Sequence, residues 1–186
     1  MLNIYARSSI GRAFSRLLKG YAVRFPSRVP FFETRHCPKD VAISMIEQVD
    51  ITPDSKVLEP SAGRGGISDL LYEHTGNVTA IELHGPHFEY LKQKPYRTIR
   101  RNFLTIEEDE VGLFTHIVSC PPFDTVNHLN HMKTLLEDGG VLIALVMGNL
   151  LDEFWLDHYT EMNLDFKAPD GRMIRCGIVK YSHGVS

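Results

Sequence analysis

The chain has 186 residues, 43% hydrophobic and 23% charged, with a net charge of −3, which suits one domain with enough chain to bury a core. No apolar run approaches the ~20 residues that span a bilayer, which argues against a membrane-embedded protein. Cys37, Cys120 and Cys176 are odd in number and widely spaced, which argues against a disulfide framework and for a reducing, cytoplasmic compartment. The charge is uneven. Residues 1–32 carry Arg7, Arg12, Arg16, Lys19, Arg24 and Arg28 and no acid, leaving 14 basic and 23 acidic residues, a net of −9, in the remainder. An acidic body with a basic arm suits contact with a polyanion through a limited surface rather than along a whole face.

Ile10, Phe14, Leu17, Leu18 and Tyr21 recur at helical spacing among Arg12, Arg16 and Lys19, so residues 4–20 read as a basic amphipathic helix. Three uses fit it: docking on the domain or on nucleic-acid phosphates, an organellar transit peptide, or a solvated leader. The second would move the protein from cytoplasm to organelle. Pro26 and Pro30 then give an extended linker, so an arm over residues 1–30 precedes a single domain over 31–186.

Within the domain, Val41, Ile43, Met45, Ile46 and Val49 form a helical apolar face to about residue 49. Lys56-Val57-Leu58 reads as the first strand and Ile67 to Tyr72 as the following helix. Between them lies Glu59-Pro60-Ser61-Ala62-Gly63-Arg64-Gly65-Gly66, whose glycines allow a tight turn and a close approach of backbone to a ligand. Asn77 to Ile81 is the second strand, ending in Glu82, nineteen positions after Gly63. An acid there can accept hydrogen bonds from a ribose diol, and fits either a dinucleotide or an S-adenosylmethionine site. A helix over Pro86 to Gln93 and a strand at Thr98-Ile99-Arg100 follow, then Asn102-Phe103-Leu104 and Glu107-Glu108-Asp109-Glu110, the last read as a solvated acidic loop. Phe114 to Val118 is the fourth strand and runs into Cys120-Pro121-Pro122-Phe123. Leu129 to Leu136 reads as a helix stopped by Gly139-Gly140, Val141 to Met147 as a buried parallel strand, Phe154 to Tyr159 as part of a helix, and Met173 to Tyr181 as a final strand. Alternating strands and helices give an α/β doubly wound sheet. His84/His87 and His128/His131 have i,i+3 spacing, but without a third clustered ligand they read as polar helix positions rather than a metal site.

The glycine turn and the Cys-Pro-Pro-Phe segment, each ending an apolar strand, would face one crevice at the carboxyl ends of neighbouring strands. Together they resemble motif I and the (N/D)-P-P-(Y/F) motif IV of class I S-adenosylmethionine-dependent amino-methyltransferases, particularly the N6-adenine DNA enzymes. The resemblance covers about residues 31–181 and implies a Rossmann-like, seven-stranded, mostly parallel sheet with helices on both faces and an antiparallel final hairpin. It implies S-adenosylmethionine as cofactor, held by Phe32 and Thr34 of a motif-X-like element and by Glu59, Pro60, Ser61, Ala62, Gly63, Gly65, Glu82, Asn102 and Phe103. It implies catalysis by Cys120, Pro121, Pro122 and Phe123: acceptors at the first two positions meet the amine N–H groups, and the aromatic ring stacks on a flipped base.

This chain departs from the pattern at Cys120, where the family has Asn or Asp, and at Pro38, displaced from the F-x-T-P of motif X. Sulfur is a weak acceptor. The nucleophilic Cys of cytosine-C5 enzymes follows a Pro, whereas Cys120 precedes two. The implied substrate is adenine N6 in DNA, ahead of RNA or a protein amide; a weakly active or inactive binding module is a further reading, and a dinucleotide oxidoreductase is last, since the loop lacks a clean G-x-G-x-x-G and Pro121-Pro122 would be unexplained. The strands after Phe123 use the remaining chain, so short loops and the arm would choose the target, which predicts a relaxed or very short recognition sequence.

Overall fold

The computed structural model describes residues 37–122, 125–147, 158–167 and 173–184, all within the unit His36–Ser186. The arm, Phe32, Thr34 and Phe123 lie outside the described residues. In chain order the elements are α1 (Lys39–Ile46), β1 (Val57–Glu59), α2 (Gly66–Tyr72), β2 (Val78–Glu82), α3 (Gly85–Leu91), β3 (Arg97–Arg100), a 3-10 turn (Phe103–Thr105), α4 (Glu108–Val111), β4 (Phe114–Ser119), α5 (Thr125–Thr134), β5 (Leu136–Met147), β6 (His158–Lys167) and β7 (Met173–Ser182). The strands form one sheet in the order β3-β2-β1-β4-β5-β7-β6. Pairings from β3 through β5 are parallel, whereas β7 runs antiparallel to both β5 and β6. The doubly wound, mostly parallel sheet expected from the sequence is present.

Burial on both faces accounts for the apolar run over residues 141–146 of β5 and for the largely buried β1, β2 and β4. One face packs Val57, Val78, Ala80, Val118, Ile143 and Leu145 under α1, α2 and α3, through Met45, Leu71 and Leu91. The opposite face packs Leu58, Ile81, Ile117, Leu142 and Ala144 against Phe103 and Ile106 and against Leu129 and Met132 of α5. Strand β1 has only three residues, all buried. A fully buried Val or Leu side chain contributes about 1.5–3 kcal/mol, so this two-sided packing outweighs the weakness of so short a strand. The chain order reverses direction across the sheet at β1 and β4, and the carboxyl ends of these two adjacent strands open the crevice where such sheets bind ligands.

Three expectations from the sequence are corrected. Gly139-Gly140 does not stop a helix: α5 already ends at Thr134, and the two glycines lie inside β5. They form an irregularity opposite Phe114 and His116, where the register to β4 shifts. Gly139 has φ +79°, and a Cβ on Gly140 would sit 2.8 Å from the Glu137 carbonyl oxygen and 3.1 Å from that of Phe114. The acidic segment at 107–110 is not a loop but leads into the one-turn helix α4, closed by a capping box between Glu107 and Glu110. Arg101 pairs with the Glu110 carboxylate, and Arg97 donates to the Glu110 carbonyl at 3.1 Å, which offsets the acidic repulsion. Finally, His158 and Tyr159 belong to β6, paired with Lys180 and Val179, and not to a helix; the rest of that expected helix lies outside the described residues.

Backbone crowding at the bulge gives a test. Gly140→Val should destabilise the fold by about 1–3 kcal/mol through overpacking. It should appear as a lower urea midpoint at unchanged slope. Gly76→Ala, whose added Cβ meets nothing within 4 Å, should stay near wild type. Equal midpoints for the two variants would contradict the bulge account.

Candidate active site

The turn after β1 is tied to the end of β2 by two hydrogen bonds. The Ala62 amide donates to the Ile81 carbonyl at 2.9 Å, and the Gly63 amide donates to Glu82 Oε2 at 2.7 Å. The other carboxylate oxygen of Glu82 accepts from the His84 amide at 2.6 Å. Gly63 and Gly65 have φ of +56° and +94°, which L side chains adopt only under strain. A carboxylate has about four lone-pair sites, so these two bonds leave acceptor capacity on an oriented group. Glu82 is therefore aimed before any ligand arrives.

The glycines differ in what demands them. A Cβ on Gly65 would collide with the Tyr96 hydroxyl and approach Leu91 at 3.3 Å, so this glycine is required by the protein's own packing. That hydroxyl donates to Asp69 Oδ1 at 2.8 Å, while Lys94 holds Asp69 Oδ2 at 2.6 Å. Together they brace the first turn of α2 against the segment before β3. Gly66 differs: nothing lies within 4 Å of its Cβ position.

Glu59 closes β1 and is 2% exposed. Burial pushes its carboxyl up from 4.5 to about 8, with smaller upward contributions from Cys120 and Glu82, against the hydroxyl and amide of Ser68, which favour the charged form. The Ser68 hydroxyl donates to Glu59 Oε2. Near neutral pH this acid keeps its proton for lack of a positive partner; a cationic ligand beside it would displace that proton.

At the end of β4, Ser119 is fully buried, and its hydroxyl has no hydrogen-bond partner among the described residues. Cys120, Pro121 and Pro122 follow, half-buried. The Pro122 carbonyl accepts from the Thr125 hydroxyl at 2.7 Å, which starts α5. The neighbouring Cys120 side chain raises the Cys37 thiol far above the ordinary thiol range, with burial adding to the effect.

Of the sequence-predicted residues, Glu59, Pro60, Ser61, Ala62, Gly63, Gly65 and Glu82 stand together at the ends of β1 and β2, with Cys120, Pro121 and Pro122 at the adjacent end of β4. Asn102 follows β3 and is exposed; its side-chain oxygen caps the 3-10 turn by accepting from the Leu104 amide at 3.1 Å. Phe103 is 3% exposed, its ring against His131 and His128 with centroids 4.8 and 5.6 Å apart, so the side chain belongs to the core. Sequence reasoning missed Leu83, which is 60% exposed immediately after Glu82 and leaves an apolar side chain at that strand end. An apolar residue directly after the strand-end acid was the available signal. Ser68 and Tyr96 were missed for lack of one.

No family model matches the chain, and no curated protein does. Solved structures do match. A candidate RNA methyltransferase from Pyrococcus horikoshii is similar at 14% identity with a TM-score of 0.67, over 92% of this chain and 98% of that one. An RNA methyltransferase from Salinibacter ruber, in complex with S-adenosyl-L-homocysteine, is similar at 12% identity and a TM-score of 0.63, over 82% of this chain and 95% of that one. The modification subunit of a candidate type I restriction enzyme from Vibrio vulnificus is similar at 14% identity and a TM-score of 0.67, over 93% of this chain but 48% of that one, so this chain spans about half of it. At these identities the likeness is one of fold: the domain shares the Rossmann-like, mostly parallel α/β sheet of these structures.

The raised Glu59 pKa fixes a sign. Between pH 4.5 and about 8 the folded chain holds a proton that the unfolded chain has lost. Stability carried by this group is thus full below pH 4.5 and is lost as pH rises toward 8, at up to about 1.4 kcal/mol per pH unit. Glu59→Gln should remove that slope, so its stability relative to wild type should rise with pH in urea unfolding. Parallel pH profiles for the two proteins would contradict a buried, protonated Glu59.

Proposed function

We propose that the protein is an S-adenosylmethionine-dependent methyltransferase acting on an exocyclic amine, adenine N6 in DNA, with the basic arm on backbone phosphates. The observation that carries this reading is the Glu82 carboxylate, held by Gly63 and His84 amides beside the glycine turn. Bound there, the cofactor would supply an electrophilic methyl group on a sulfonium.

The residues present fit that group. Glu82 would accept from the ribose diol and Leu83 would cover the adenine ring, while the open space beyond Gly66 admits a close approach to backbone. Glu59 would lose its proton to become the counter-charge for a cationic ligand. Catalysis of such an in-line transfer is mainly positioning of donor and acceptor. The Pro121 carbonyl would accept from the amine N–H, keeping the nitrogen lone pair available, and Phe123 would stack on the base.

One observation favours a second reading, a cofactor-binding module with little turnover: Cys120 stands where an oxygen acceptor would. Transfer of labelled methyl from S-adenosylmethionine to duplex DNA, single-stranded DNA, RNA and protein extracts in parallel separates the readings. DNA should be labelled in preference to the others. A neutral hydrogen bond is worth about 0.5–1.5 kcal/mol, so Cys120→Asn should hold or raise the rate, by up to about tenfold if the bond acts wholly in the transition state. RNA as the better substrate would transfer the reading to that polymer. No transfer by either protein, with cofactor still bound, would leave the module.

A further inference from the structure

Two exposed arginines at the carboxyl edge of the sheet have no carboxylate partner among the described residues: Arg64 in the turn after β1 and Arg100 at the end of β3. Acids on the adjoining elements are already paired, Asp69 of α2 with Lys94, Glu89 of α3 with Lys92, and Glu110 of α4 with Arg101. Each arginine is nevertheless seated. The Arg64 guanidinium lies over the Tyr90 ring, 4.3 Å from its centroid, and that ring is half exposed on α3. A guanidinium held over a ring keeps N–H donors at its edge for a phosphate. Arg100 lies against Gly85: a Cβ there would meet its Nη2 at 2.8 Å, so the glycine leaves the room that the guanidinium occupies. Arg100 is in register with Glu82, and β2 stands between β1 and β3. The two arginines therefore flank the strand that carries Glu82.

We propose that this rim binds an unpaired DNA strand, with phosphates on Arg64 and Arg100 and a base stacked on the Arg64–Tyr90 pair. The surface deepens the nucleic-acid reading above and rests on it for the choice of DNA. Charge complementarity selects the occupant. The chain after residue 32 holds 14 basic and 23 acidic residues, so two seated cations without acids mark a place for an anion. Like charge excludes the chain's own basic arm. A guanidinium fits phosphate oxygens through two parallel N–H donors, and its outer face takes a stacked base. Tyr90 extends that stack, which is open only to bases that have left a duplex. Arg64 belongs to the glycine turn itself, so a strand held there borders the crevice.

The test measures fluorescence anisotropy of a labelled single-stranded oligodeoxynucleotide with the full chain across a salt series, with S-adenosylmethionine affinity by calorimetry as a second readout. Single strands release about 0.7 counterion per phosphate contacted. Arg64→Gln combined with Arg100→Gln should therefore flatten the slope of log affinity against log salt by about 1.4, and weaken binding at least tenfold near about 0.1 M salt. Gly85→Ala keeps both charges and should flatten the slope by about 0.7, because the added methyl displaces Arg100. The displaced atoms end a flexible side chain, so the fold stays intact. Tyr90→Leu should weaken binding about fivefold or more through lost stacking, at an almost unchanged slope. Lys56→Gln combined with Lys92→Gln removes the same charge from residues already in ion pairs, and should leave both measures near wild type. Equal losses in that control, or wild-type binding by Gly85→Ala, would reduce the effect to general charge and overturn the surface. Competition by polyglutamate as strong as by DNA would point to an acidic protein and overturn the nucleic-acid occupant. Tighter binding of the matching RNA would overturn the choice of DNA. A chain that binds S-adenosylmethionine but neither polymer would overturn the surface and keep the cofactor site. Strand binding without cofactor binding would keep the surface and overturn the methyltransferase reading instead.

Discussion

The Glu82 carboxylate is the point on which the site depends. It accepts from the Gly63 amide of one loop and the His84 amide of the next, so a single side chain sets the relation between the ends of β1 and β2. Hydrogen bonds to a charged acceptor contribute about 1.5–3 kcal/mol each, enough to hold the turn in the left-handed conformations of Gly63 and Gly65. Without that acceptor the Gly63 amide would lose its partner and the glycine turn its alignment. Tyr96 and Asp69 complete the bracket from the far side, filling the space beside Gly65.

Charge in the crevice is deliberately unbalanced by the protein's own groups. Glu59, Glu82 and the Cys37–Cys120 pair gather there, and no cation is among the groups that shift Glu59. Burial settles the imbalance by leaving Glu59 protonated toward pH 8, so the stability carried by this group falls as pH rises. A cationic ligand would reverse that preference, and so binding and proton release are coupled at one residue.

The site was legible in the sequence where residue types have few uses. Glycines at Gly63 and Gly65, an acid at Glu82 and paired prolines at Pro121 and Pro122 end strands in ways few other arrangements need, and these ends are adjacent in the sheet. The misreadings share one cause: a distant part of the chain decided between two local options. A glycine pair after a helical pattern suits a helix stop or a bulge equally, and the carbonyls of Glu137 and Phe114 select the bulge at Gly140. Four acids in a row suit a loop until Arg97 of β3 and Arg101 just after it supply positive charge. Phe103, adjacent to an exposed residue that suits a ligand, is instead buried by two histidines of α5.

The central claim is that the turn and Glu82 form an S-adenosylmethionine site. Calorimetric titration of the full chain with S-adenosylmethionine and, separately, with NAD tests it most directly. Wild type should bind S-adenosylmethionine in preference to NAD. Glu82→Gln, with its unfolding transition intact, should lose about tenfold to a hundredfold in affinity, the value of one hydrogen bond to a charged group. Absence of S-adenosylmethionine binding, a preference for NAD, or undiminished affinity in Glu82→Gln would contradict the account.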